Sequence, residues 1–539
     1  MSLALRPARP RPALLLILAL GCGGPEPETG PPSETAPVSG GTAIVGTGAD
    51  FDVLNELAST SAITDQVIGH VLFQNLLAYD DSLHYAPMLA DTFWVAEDGM
   101  SATFRIREGV RWHDGVPVTA DDVVWSFEVS MLDAIAYPER QQLQDIERAE
   151  RVDGRTVRFH FRRLHAEPLA DFIYWTPMPK HLLEDVPPAE MRNAPFNRNP
   201  VGNGPFRFVS WRPNEQIVFE ANDDFWAGRP YLDRIVFRVI PEPTTAVTEL
   251  LNGAIDLYRN VPPNDMVRLE ASSRARPLSY PSLGFTFLSL NVQRPPFEDV
   301  RVRRAIAMGT DRQTLIDGIL QGYGEVTAGA TTPRQWEHDD AIEPPPFDPA
   351  AARTLLAEAG WRDTDGDGWL DRDGRPLRFE MITNVDNTLR MDVLIALQSQ
   401  LRGIGVDARP RGVEFNTMVD KFMSGDYDVV VLGWDLYLRF DPSQLFETGG
   451  AYNGGGYSNP RVDELLRGAR TTLDRAEAKP LWDEFQRILA GDQPYIFLWR
   501  DHERWGASGR LRGVAPARAP NAYAPLASVT RWWIAPRDR

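Results

Sequence analysis

The sequence predicts an α/β protein of more than one lobe, and three observations carry that prediction. From about Arg301 onward, short apolar strands and amphipathic helices take turns, the pattern of parallel βαβ units. Before that point, paired strands around Asp-Gly turns are interleaved with single helices, so the two halves differ in texture. The chain has 539 residues, more than one hydrophobic core holds, and suits two or three domains.

Each element follows from local chemistry. A short strand is expected at residues 43–47, then a loop carrying Asp50, Phe51 and Asn55. Ile63, Val67, Ile68, Val71 and Leu72, three or four residues apart, mark an amphipathic helix. Residues 92–96 and 102–106 flank a turn at Asp98-Gly99, and Val152 and residues 157–161 flank one at Asp153-Gly154. Between these hairpins Thr119, with Asp122 three residues on, matches a capping box, and Val123, Phe127 and Met131 form the stripe of the helix it opens. Phe206, Phe208, the turn at Pro213-Asn214, Ile217 and Phe219 read as a third hairpin. In the second half, helices at 302–308, 311–320 and 350–359 precede strand 377–383, helix 388–402, strand 406–409, helix 415–423 and strand 429–432. Helices at 461–471 and 475–489 and a strand at 495–499 follow, and no repeat of fixed period is present.

The amino terminus has a separate purpose. Residues 1–21 carry Arg6, Arg9 and Arg11, no acid, and an unbroken apolar run over 13–20 that is too short to span a bilayer, which reads as an export signal. Cys22 is the only cysteine and has no partner for an internal disulfide. Leu18, Ala19, Leu20, Gly21 and Cys22 resemble a bacterial lipobox, which implies that Cys22 is acylated and heads the mature chain. Residues 23–41 are almost all Gly, Pro, Glu, Ser and Thr, so residues 22–41 form a disordered tether, reaching roughly 24 Å if flexible. An extracytoplasmic lipoprotein, periplasmic or at the cell surface, is expected. No later stretch approaches eighteen consecutive apolar residues.

A hydrophobic fraction of 43% and a charged fraction of 24% suit a soluble globular chain, while a net charge of −19 argues against a nucleic-acid partner. Enzymatic signatures are missing: no G-x-S-x-G, H-E-x-x-H, G-x-x-x-x-G-K or C-x-x-C occurs. The eight histidines have no ligand spacing. Asp363, Asp365 and Asp367, with Gly366 and Gly368 among them, imitate the start of a calcium loop. The twelfth position is Gly374, where a bidentate glutamate is needed, so a tight Asp/Gly turn is the expectation. No cofactor, metal or catalytic residue is assigned.

One run of residues is far more specific: Trp94, Asp98, Gly99, residues 103–107, Gly109, Val110, Trp112, His113, Asp114, Gly115, Pro117, Thr119, Ala120, Asp122, Val123 and Ser126. Together with Pro200, Gly202, Gly204, Pro205 and Trp211, then Asn291, Pro296, Phe297, Asp299 and Arg303, then Gly425, Tyr427, Asp428, Gly433 and Trp434, and last Tyr457, Asn459 and Pro460, it resembles a known family. That family is the extracytoplasmic solute-binding proteins of ABC importers, in the oligopeptide, dipeptide and nickel class, and the likeness spans essentially all of residues 43–505. It implies a two-lobed periplasmic-binding-protein-like α/β fold of the large peptide-binding type, with a hinge near 280–291 and 499–505. Lobe 1 would take 42–282 and 503–539, with an extra β-rich subdomain around 80–200, and lobe 2 would take 283–502. The implied function is a lipid-anchored receptor that holds a peptide-like or other polar solute between its lobes and delivers it to an ABC permease unchanged. A monomer is expected.

Ligands of α/β proteins gather beyond the carboxyl ends of strands. The expected cleft residues are therefore Asp50, Phe51 and Asn55 from lobe 1, with Trp434, Asp435, Tyr437, Arg439, Phe440, Asp441, Tyr452 and Asn453 from lobe 2. The resemblance also implies that peptide binders carry an aspartate four residues before Pro442, pairing with the peptide's ammonium group. Here that residue is Leu438. A buried ammonium left unpaired costs several kcal/mol, so either Asp435 substitutes or the solute is a modified peptide, an oligosaccharide or another polar compound. Two other readings stand beside this one: an exported hydrolase using Asp435 and Asp441 as paired carboxylates, and a binding module serving a sensor or chaperone.

Overall fold

The structure, a computed structural model, describes residues 36–80, 82–164, 166–434, 438, 441–515 and 524–539. Cys22, the leader and most of the tether lie outside the described residues, as do Asp435, Tyr437, Arg439 and Phe440. No helix among the described residues is long and apolar enough to cross a membrane.

A mixed sheet of twelve strands runs through residues 37–539. Its principal strands are β1 (Thr42–Thr47), β2 (Phe206–Arg212), β3 (Gln216–Ala221), β4 (Arg234–Val239), β5 (Leu257–Arg259), β6 (Ala275–Pro281), β7 (Phe285–Leu290), β8 (Arg378–Asn384), β9 (Asp407–Val413), β10 (Val429–Trp434) and β11 (Tyr495–Ser508). Hydrogen bonds order them β9-β8-β10-β7-β11-β5-β1-β4-β3-β2, with β6 also on β11. The parallel pairs β8-β9 and β8-β10 are the βαβ units expected in the second half.

β11 joins the two lobes. Its first part pairs antiparallel with β7, Phe497 opposite Phe287, and its second part with β6, Glu503 opposite Tyr280. The apolar signal in the sequence stops at Trp499, because Arg500, Asp501, Glu503 and Arg504 follow. The strand continues because these charges have partners. Arg500 donates to the carbonyls of Leu283 (2.8 Å) and Thr331 (2.6 Å), Asp501 accepts from Thr286 (2.8 Å), and Glu503 pairs with Arg259 (3.1 Å).

Apolar burial divides on either side of this strand. One core includes Val45, Phe104, Phe159, Phe237 and Trp532; the other side holds a core of Leu288, Val302, Leu397, Val431 and Ile496 and an adjoining one of Phe287, Phe446, Trp482 and Phe497. The molecule is a two-lobed α/β protein, as the sequence predicts. The two early hairpins zip together into one four-stranded sheet, Ser101–Ile106 against Thr156–Phe161, on the first core. The capping box forms: the Thr119 N–H donates to Asp122 at 2.8 Å, and helix Ala120–Ser130 begins there. The predicted helix over 63–72 is α-helical only over Ala62–Val67; it widens to a π turn over Ile68–Leu72, where the Phe73 N–H reaches the Ile68 carbonyl.

Several of the signature residues fasten loops. His113 accepts from the Gly202 N–H at Nδ1 (3.2 Å) and its Nε2 meets the Gly204 carbonyl (3.1 Å), and burial pushes its imidazole down to about 4, leaving it neutral. Asp363 accepts from the N–H groups of Gly366 (2.7 Å) and Gly368 (3.1 Å) in an exposed turn, where oxygens of Asp363, Asp365 and Asp367 lie within 4.8 Å of one another.

Candidate functional site: the cleft between the lobes

One cavity opens where parallel strands end, and a larger one lies between loops and helices of the two lobes. β1, β4 and β5 are parallel, and their carboxyl ends, with Gly48, Ala49 and Asn260, border a space of about 270 Å³ closed on another side by Trp505 of β11. Asn260 holds φ +61°, a left-handed conformation that asparagine tolerates better than most residues. The Arg259–Glu503 pair ties this edge to the shared strand.

The larger cavity, about 530 Å³, takes its walls from both lobes: Arg163, Leu164 and Glu167 on one side, Trp336, Glu337 and Asp441 on the other. That volume suits a small organic solute or a short peptide. The lobes meet around it. The Ala166 N–H donates to the Arg470 carbonyl at 3.1 Å. Arg475 reaches Glu167 at 2.8 Å, and the other oxygen of that carboxylate accepts from the Tyr85 hydroxyl at 2.7 Å. Leu473 comes so close to the 95–101 turn that a Cβ on Gly99 would lie 2.8 Å from its methyl. Leu438 packs its side chain against the first lobe's core, while its carbonyl accepts from Gln335 at 3.1 Å.

The predicted residues fall in different places. Asp50 accepts from the Trp211 indole N–H (3.1 Å) and the Asn214 N–H (2.8 Å), pinning the β2-β3 turn. Phe51, 4% exposed, packs edge-on against Phe237 and Trp211. Asn55 is buried and bonds to Asn197 (2.9 Å) and the Leu57 N–H (3.0 Å). All three are fastened within lobe 1, and the described linings of the two cavities do not include them. Trp434 lies parallel to Phe287, with 6.4 Å between ring centroids, and tilted against Tyr452 at 5.3 Å, so these rings meet on the face of lobe 2. Asn453 spends its amide on its own loop, donating to the Tyr457 carbonyl (2.7 Å) and accepting from the Tyr457 N–H (3.0 Å). Asp441 is the one predicted residue among the described lining of the larger cavity, and one of its oxygens holds Ser443 at the start of helix Ser443–Phe446. That commitment takes away one oxygen that a hydrolase would use.

Sequence reasoning missed Trp336 and Glu337. They sit in a Pro-rich stretch with no strand end or helical period to point at them; a tryptophan in such a loop was the only mark. Glu337 is 3% exposed, and burial raises its carboxyl to about 8.

Comparison with known proteins places this geometry. The profile of the Bacterial extracellular solute-binding proteins, family 5 Middle, matches residues 84–456. The oligopeptide-binding protein AppA of Bacillus subtilis (strain 168) is 30% identical over 538 residues, covering 97% of this chain and 98% of that protein. The solved structure of AppA from Bacillus subtilis with a nonapeptide matches with a TM-score of 0.74 at 29% identity, over 93% of this chain and all (100%) of that one. NikZ from Campylobacter jejuni, solved in complex with Ni(L-His), matches with a TM-score of 0.76 at 26% identity, over 91% and 99% of the two chains. Since similar folds hold a nonapeptide in one case and a nickel complex in the other, individual side chains set the solute.

Proposed function

This chain belongs to the bacterial extracellular solute-binding proteins of family 5, and from that premise we propose that it is a lipid-anchored receptor which closes on a peptide-like or other polar solute and delivers it to an ABC permease. The observation that carries the proposal is the 530 Å³ chamber whose walls come from both lobes, so that a solute inside it bridges them and favours the closed arrangement. The likeness to AppA in complex with a nonapeptide supports a peptide-like solute. Leu438 bears on the kind of peptide: its apolar side chain packs against the first core and leaves a free ammonium to be met elsewhere. Cys22, as the first mature residue, would carry the anchor. The test is native mass spectrometry of the exported protein, with the molecule that leaves it then titrated back. Binding at micromolar strength or better, about −8 kcal/mol, with the solute recovered unaltered, is expected; a chemically changed product overturns the reading.

The contacts between lobes give a second expectation. Arg475→Ala removes the charge-assisted bonds to Glu167 and a cation that lies 5.2 Å from the Trp336 ring. Solute affinity should fall about 3- to 10-fold, mainly through faster release in stopped-flow traces, with the melting temperature almost unchanged.

A further inference from the structure

The larger chamber has an uneven charge balance once its own ion pairs are set aside. Arg163 is held by Asp145 at 2.8 Å, Arg470 by Glu447 at 3.1 Å, and Glu167 by Arg475 at 2.8 Å. Glu337 stands apart. Its side chain is buried, its Oε2 has no hydrogen-bond partner, and no ion pair reaches it among the described residues. Its backbone cannot easily turn the carboxyl elsewhere, because the Glu337 carbonyl accepts from the Gln486 amide at 2.8 Å. An orphaned buried acceptor is destabilising, and a donor entering the chamber would relieve it.

We propose that Glu337 is the specificity-determining residue of a subsite that takes an ammonium or guanidinium group of the solute, with Trp336 and Trp482 as its aromatic walls. This rests on the receptor reading above and deepens it. A cation fits better than a neutral donor for two reasons. The second acid on the same wall, Asp441, has no basic partner among the described residues. The aromatic faces add cation–π attraction, and Trp336 already has one guanidinium, that of Arg475, at 5.2 Å. The described bases of the lining already have carboxylates, Arg163 and Arg470 at 2.8 and 3.1 Å and Arg467 more loosely at 3.9 Å from the Glu447 that Arg470 also holds, so an anionic group would have to compete for them. With no cation present, burial keeps Glu337 largely protonated among the charges of Glu167, Arg475 and Lys479, so the empty chamber does not bury a bare charge.

The probes are pentaalanine peptides carrying one lysine at each position in turn, and the same peptides with norleucine there, titrated calorimetrically into the full chain. For the native protein at least one lysine peptide should bind about 10-fold tighter than its norleucine partner. Glu337→Gln should erase that preference while norleucine peptides bind within about 3-fold of native. Glu337→Asp, which keeps the charge, should retain part of the preference and guards against a misfolded glutamine variant. A lysine preference that survives in Glu337→Gln overturns the subsite alone, and so does binding of both sets by the native protein without preference. Binding of neither set overturns the peptide reading together with the subsite.

Discussion

Gly202→Ala should yield little folded protein. A Cβ at this position would stand 1.9 Å from the Leu72 carbonyl oxygen and 2.8 Å from its carbon. Both are backbone atoms at the end of the π turn, so no flexible side chain can give way. The same strand of contacts is fixed by bonds in both directions: the His113 N–H donates to the Gly202 carbonyl (2.7 Å), and the Gly204 N–H donates to the Leu72 carbonyl (2.9 Å). Opening the clash therefore breaks several buried bonds at once, and a loss of more than about 3 kcal/mol follows. Thermal unfolding by circular dichroism checks it, with Gly154→Ala, whose Cβ meets nothing within 4 Å, as the companion expected to stay close to native. A Gly202→Ala protein as stable as that companion would contradict the close-approach explanation.

Asp256→Ala is the second change with a large expected effect. Asp256 is 0% exposed and accepts from the Ile44 N–H of β1 (2.9 Å), the Ser508 hydroxyl of β11 (2.7 Å) and two nitrogens of Arg510 (2.6 and 2.7 Å). It thus ties the first strand of the fold to the end of the shared strand. Alanine leaves the part-buried Arg510 guanidinium and the Ile44 N–H without their acceptor, which costs about 3–5 kcal/mol. Because a two-lobed chain need not unfold in one step, urea denaturation should be followed by probes in each lobe. The transition of lobe 1 should move to lower urea, and the intrinsic stability of lobe 2 should change little. Asp256→Asn, which keeps the shape and loses the charge, should fall between. Unchanged midpoints in both lobes would show that the cluster is not structural.

Much of this architecture is legible in the sequence because it is written locally. Asp98-Gly99 and Asp153-Gly154 announce their hairpins, Thr119 and Asp122 announce a helix start, and the helix at Thr388–Arg402 agrees with its apolar spacing end to end. What is not local is not legible. Nothing in 101–106 states that it pairs with 156–161, and the charges of Arg500, Asp501, Glu503 and Arg504 hide the second half of β11, since each has a partner more than 150 residues away. The site is harder still. The rule about strand ends points to the loop after β1, and Gly48 and Ala49 do border a cavity there. It cannot say which neighbours turn inward, and Asp50, Phe51 and Asn55 are fastened into lobe 1 by Trp211, Phe237 and Asn197. Glu337 carries no periodic signal; its interest comes only from what surrounds it.

Small-angle X-ray scattering of the whole exported chain, with and without a saturating amount of the molecule that co-purifies with it, tests the central claim most directly. Two lobes joined along β11 and meeting around a shared chamber predict a smaller radius of gyration in the loaded protein, and a return to the larger value when the molecule is stripped. Superimposable scattering curves for the loaded and stripped protein would contradict it.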